Sequence, residues 1–114
     1  KYYLGFTFGN IQSMVELAQA HNIKVILSSV LPCNDIFWNK TVTDVPDKIS
    51  HLNEMIKAYA DENIIPYIDY YSALRDENSG LKKEYGEDSV HPNAEGYKVM
   101  RKIAEPIIEN VLNQ

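Results

Sequence analysis

The sequence predicts an α/β layer fold built on a parallel sheet, and three observations carry that expectation. Segments with helical spacing alternate with short apolar runs in the order helix, strand, helix, strand, helix. The run Val25-Ile26-Leu27 is continuous rather than alternating, as in a strand covered on both faces. Two long irregular stretches, residues 33–45 and 70–88, each come after an expected strand, and ligands gather at that end of open α/β sheets.

Taken in order, residues 9–20 place Ile11, Met14, Val15 and Ala18 at steps of three and four, one face of a helix. His21-Asn22 supplies a stop. Residues 24–29 read as the first strand, left through Leu31-Pro32. The stretch 33–45, which carries Phe37 and Trp38, is long for a compact domain, and such loops are usually functional or flexible. A second helix is expected over 46–61, with Asp44 as candidate cap and Pro46 tolerated in the first turn. Ile49, Leu52, Ile56 and Tyr59 form its apolar face, and Asn63 ends it. Residues 64–69 read as the second strand. One helical turn is expected near 72–74, and Gly80 and Gly86 punctuate the irregular stretch beyond it. The last helix is expected over 93–112, with Tyr97, Met100, Ile103, Ala104, Ile107 and Val111 inward and a kink at Pro106.

Composition narrows the function. At 114 residues, 45% apolar and 24% charged, the chain fits one domain over 1–114 and excludes disorder. No repeat or linker divides it. Apolar runs stay far short of the ~20 residues that span a bilayer, so no membrane span is expected. The net charge of −5 repels phosphate backbones, which argues against nucleic-acid binding. The single Cys33 forms no internal disulfide and lacks zinc-site partners. No cofactor is implied. Lys1-Tyr2-Tyr3 is neither an initiator nor the start of a signal peptide, so the chain is expected to begin mid-protein or after processing.

The chemistry concentrates in Asp88-Ser89-Val90-His91-Pro92-Asn93-Ala94-Glu95-Gly96-Tyr97. Three apart in a turn that opens a helix, Asp88 and His91 can bring a carboxylate against an imidazole. That bond fixes the tautomer, and the second ring nitrogen is left to take a proton from a nucleophile. Pro92 fixes the backbone and Asn93 caps the helix, which braces the pair. A bare Asp-x-x-His also arises by chance, and an Asp near a helix start is most often a cap or dipole partner.

These residues, with the strand 25–32 and its Leu-Pro exit and the strand 64–69 ending in Asp69, resemble the C-terminal half of the SGNH (GDSL-type) hydrolases. The resemblance covers nearly the whole chain, and Asp-x-x-His-Pro-Asn-x-x-Gly-Tyr before a final helix is its specific signal. It implies a flavodoxin-like three-layer α/β/α fold and hydrolysis of carboxylic esters through a serine acyl-enzyme. His91 would be the general base and acid, and Asp88 its orienting carboxylate. Carbohydrate acetyl esters and small lipid esters are the implied substrates, and the family leans towards secreted or periplasmic settings, although the sequence assigns no compartment. The family's Gly-Asp-Ser nucleophile block, its oxyanion Gly and its Asn block are missing. The expectation is therefore a chain that starts just downstream of that Asn block, with nucleophile and two oxyanion donors on an absent N-terminal half. Such a half-fold should self-associate or pair with its missing half. The alternative is a non-enzymatic α/β binding or assembly module with a structural Asp–His pair.

The remaining candidates read more plainly. Ser13, Ser50 and Ser72 fall on helices or turns, while Ser28 and Ser29 end a strand outside any nucleophile turn. Cys33 is the one substitute nucleophile on offer, though a lone Cys after a strand is usually a small buried residue. His21 should meet its helix's C-terminal dipole, and His51 should pack half-exposed. A metal would need a third ligand beside Asp88 and His91. Phe37, Trp38, Tyr70 and Tyr71 either wall a cleft or cover a sheet edge. Asn39-Lys40-Thr41 matches a glycosylation sequon.

Overall fold

The structure, a computed structural model, describes residues 4–114; the Lys1-Tyr2-Tyr3 start lies outside them. It is α/β, with helices packed on a small parallel sheet. Helix α1 spans Leu4–Ala20, strand β1 Leu27–Ser28, helix α2 Val45–Glu62 and strand β2 Tyr67–Ile68. Helix α3 comes next over Tyr70–Leu74, then a 3₁₀ turn over Lys83–Tyr85 and the long helix α4 over Ala94–Leu112. Helix α2 packs on β1 and against α1, whereas α4 packs on β2, α3 and the 3₁₀ turn.

Both strands are shorter than their apolar runs. The two pair in parallel, Leu27 opposite Tyr67 and Ser28 opposite Ile68. Pro66 has no N–H, so the ladder begins with its carbonyl accepting from Leu27, and ends with Ser29 donating to Ile68. Val25, Ile26 and Leu27 are half-buried rather than covered on both faces as expected. The core lies to one side, where Val15, Ala60 and Ile65 are buried together beneath Val25, Leu27, Tyr59 and Tyr67.

Several helix expectations need correction. Helix α1 begins five residues before Gly9, and its Met14 is exposed while Val15 is buried. Asp44 sits at the N-cap position but makes no side-chain cap bond. Its backbone is left-handed (φ 56°), whereas a capping side chain reaches the helix N–H groups from extended geometry. Tyr97, in the first turn of α4, is exposed although it shares the helix face of the buried Ala104 and Val111. His51 is exposed as well. Helix α4 runs past Pro106 to Leu112, the end expected for it.

Helices α1 and α2 end in the same device. Asn22 and Ile64 adopt left-handed φ (59° and 55°). The next residue donates back to the last turn, Ile23 to Ala18 and Ile65 to Ala60, while Asn22 and Ile64 donate to Gln19 and Asp61. Asn tolerates that conformation; a β-branched Ile does not. Ile64 is 92% exposed, so its side chain offsets none of the strain. Replacing Ile64 with Gly is expected to stabilise the fold by about 1 kcal/mol. Urea melts at fixed protein concentration check this, and a lower midpoint would show that Ile64 packs on something.

Candidate active site

The turn that carries the site is built by one carboxylate. Asp88 Oδ1 accepts the backbone N–H groups of Val90 (2.9 Å) and His91 (2.7 Å), which folds the chain back on itself with Ser89 left-handed (φ 70°). Asp88 Oδ2 then lies 2.6 Å from His91 Nδ1. An ionised carboxylate only accepts, so the proton sits on Nδ1 and the lone pair on Nε2, on the ring edge away from Asp88.

The platform beneath is tied on both sides. Asn93 Oδ1 caps α4 by accepting from Gly96, its N–H donates to the Tyr85 carbonyl, and its Nδ2 donates to Glu84. One side chain thus joins the 3₁₀ turn to α4. Two glycines permit the close approach. A Cβ on Gly86 would lie 2.6 Å from the His91 carbonyl and collide with Leu81, and one on Gly96 would lie 2.5 Å from the Tyr85 carbonyl. Sequence reasoning singled out Asn93 as a cap but missed its second role and the need for Gly86. The only signal was a Gly two residues before Asp88.

Three hydrogen bonds to the ionised form hold the Asp88 carboxyl down from 3.8 to about 2: the His91 N–H first, then the His91 ring, then the Val90 N–H. A depressed carboxyl favours the folded turn above its ordinary pKa and loses that contribution as pH falls through about 2. The Val90 and His91 amide resonances are therefore expected to hold their positions through pH 3.8 and move only towards about 2. An NMR titration with a midpoint at 3.8 would mean that the turn does not form.

The loop after β1 brings the aromatics to the same place. Asn39 N–H donates to the Ile36 carbonyl (3.1 Å), closing a tight turn with Phe37 and Trp38 at its tip. Lys40 Nζ bridges to Asp35 at 2.7 Å, and Asn34 Nδ2 donates to the Asn78 carbonyl (3.2 Å), anchoring the loop to the segment before the site. Trp38 stacks on His91, centroids 6.1 Å apart and planes 20° apart, with Phe37 edge-on to the indole at 4.8 Å. Phe37 and Trp38 therefore stand beside the Asp–His pair.

The other candidates are placed elsewhere. Ser29 is buried, and its hydroxyl accepts the Tyr71 N–H at 2.9 Å. It also bonds the Tyr67 phenol, whose pKa burial and then Asp69 push up. Asn53, not foreseen as important, is buried and grips Val30 from both its amide atoms (2.7 and 3.2 Å), which sets the exit of β1. Cys33 is buried, its thiol on the Asp35 carbonyl (3.4 Å). His21 Nδ1 bonds the Leu17 carbonyl at the end of α1. Among the described residues no three His, Cys, Asp or Glu side chains come together to hold a metal. Nor is any helix among them long and apolar enough to cross a membrane.

A parallel α/β fold with an Asp–His pair on the turn before its last helix is what the chain presents. Its residues 3–99 match the GDSL-like lipase/acylhydrolase family, and the chain belongs to that family. It is similar to the crystal structure of a protein from Bacteroides fragilis described as an acylhydrolase, at 46% identity and a TM-score of 0.92 over 97% of this chain and 54% of that one. A GDSL-like lipase from Bacteroides thetaiotaomicron matches with the same identity and TM-score over 96% and 54%. A lipolytic protein of the G-D-S-L family from Desulfitobacterium hafniense matches at 27% identity, TM-score 0.75, over 92% and 55%. No curated protein matches. The chain spans about half the length of the solved structures it resembles.

Proposed function

We propose that the chain supplies the histidine–aspartate part of a serine ester hydrolase, the nucleophile and oxyanion donors standing on polypeptide outside these 114 residues. Membership of the GDSL-like family supports a hydrolase acting on esters. The observation that carries the finer reading is the 2.6 Å bond between Asp88 Oδ2 and His91 Nδ1, made by a carboxylate held ionised down to about pH 2.

In this reading Nε2 of His91 takes the proton from a serine hydroxyl as its oxygen attacks the ester carbonyl. The imidazolium formed is stabilised by Asp88, then gives that proton to the departing alkoxide, leaving an acyl-serine. Water repeats the sequence: Nε2 takes its proton as its oxygen bonds to the acyl carbon, the bond from that carbon to the serine oxygen breaks, the imidazolium returns the proton to the serine, and the carboxylic acid leaves. Small esters, acylated carbohydrate or lipid, are the proposed substrates. The test is turnover of p-nitrophenyl acetate. The chain alone should match its own His91→Ala variant, and the polypeptide encoded directly upstream should restore turnover when added or fused. Turnover by the chain alone that is lost in Cys33→Ala would replace this reading with a cysteine hydrolase. No turnover in the fused protein would favour a binding module with a structural Asp–His pair.

A further inference from the structure

We infer that Trp38 is a positioning residue for His91, fixing the plane of the imidazole that Asp88 fixes at one atom. The inference rests on the proposed role of His91 and deepens it. The His91 side chain is 70% exposed, so no core packing locks its outer torsion. A single hydrogen bond at Nδ1 leaves the ring free to swing about that bond, and Nε2 swings with it. The near-parallel indole removes that freedom.

The indole has no other evident reason to be there. Trp38 is 57% exposed and Phe37 52%, so neither is held by burial in the core. What holds them is the closed turn 36–39, the Lys40–Asp35 bridge across it and the edge of Phe37 on the indole.

Charged groups on the neighbouring elements include Glu87 in the same turn, Lys83 and Glu84 on the 3₁₀ turn, Glu95 with Lys98 in the first turns of α4, and the Asp35–Lys40 pair. His91 makes its ion pair with Asp88.

Trp38 is the sole tryptophan, so its emission reports this contact in the chain as it stands. His91→Gln removes the ring that lies against the indole, so at one fixed pH it is expected to change the intensity and maximum of the Trp38 emission, while His21→Gln and His51→Gln leave both unchanged. A spectrum that His91→Gln leaves unchanged overturns the stack. In the fused protein that turns over ester, Trp38→Ala should lower kcat about tenfold with KM little changed, and Trp38→Phe should recover most of it. A rise in KM at unchanged kcat would make Trp38 a substrate wall instead. If His91→Ala leaves turnover intact while His91→Gln changes the Trp38 emission, the catalytic reading fails and the stack stands.

Discussion

In the fused, ester-hydrolysing protein, His91→Ala is expected to lower kcat by about 10⁵–10⁶-fold and Asp88→Asn by about 10³–10⁴-fold. The difference arises from what each group does. Without His91 nothing takes the serine proton, and only the oxyanion donors and binding remain. With Asn at 88 the ring is still held, but an amide can donate to Nδ1, which moves the imidazole proton to Nε2 and presents the wrong tautomer. Because the two act as a unit, the double variant should be no slower than His91→Ala alone. Asp88→Asn carries a second consequence, since Oδ1 also builds the turn through Val90 and His91. An Asn keeps that acceptor, and the Val90 and His91 amide shifts should stay near those of the parent. Single losses that multiply in the double variant would show that Asp88 and His91 contribute independently, which a triad does not allow.

Much of this was legible in the sequence because it was local. The Asp88–His91 pair lies three residues apart in a turn, and the Asn93 cap reads off a helix start; neither needs a distant partner. Apolar spacing located the helices to within a few residues, but it carries no information about cap geometry, as Asp44 shows. Its left-handed backbone is invisible in a residue type that usually caps. Strand limits were not legible, since they depend on what pairs across the sheet: Val25 and Ile26 are as apolar as Leu27 but have no ladder partner in β2. The meeting of Trp38 with His91 is non-local. The loop after β1 and the turn before α4 converge, and sequence alone left the aromatics equally suited to a cleft or an edge. Asn53 was missed for the same reason, because its partner Val30 lies on another element.

The 114-residue chain is expected to leave a sizing column with light scattering as a dimer or larger species, or in complex with a co-purifying polypeptide, rather than as a 13.1 kDa monomer. Its surface is the reason. It exposes 7608 Å², against the roughly 6,400 Å² of a compact monomer of this mass. Its radius of gyration is 15.1 Å where about 13 Å is usual for the length, and its shortest extent is only 20 Å. The excess surface is apolar in part: Phe6, Met14 and Leu17 on α1 are 62–74% exposed, and Leu112 at the end of α4 is 71% exposed. The sheet has two strands, so each has one edge with no partner strand among the described residues, and two-stranded sheets are marginal by themselves. A surplus of about 1,200 Å² is on the scale of what one partner contributes to a stable interface. Charge should not prevent association, because −5 over this surface is modest and salt screens it. Replacing Phe6 and Leu17 with Lys should then shift the chain towards monomer if α1 is the contact. A parent chain that is monodisperse at 13.1 kDa and melts cooperatively would show that two strands and the Val15, Ala60 and Ile65 core suffice alone.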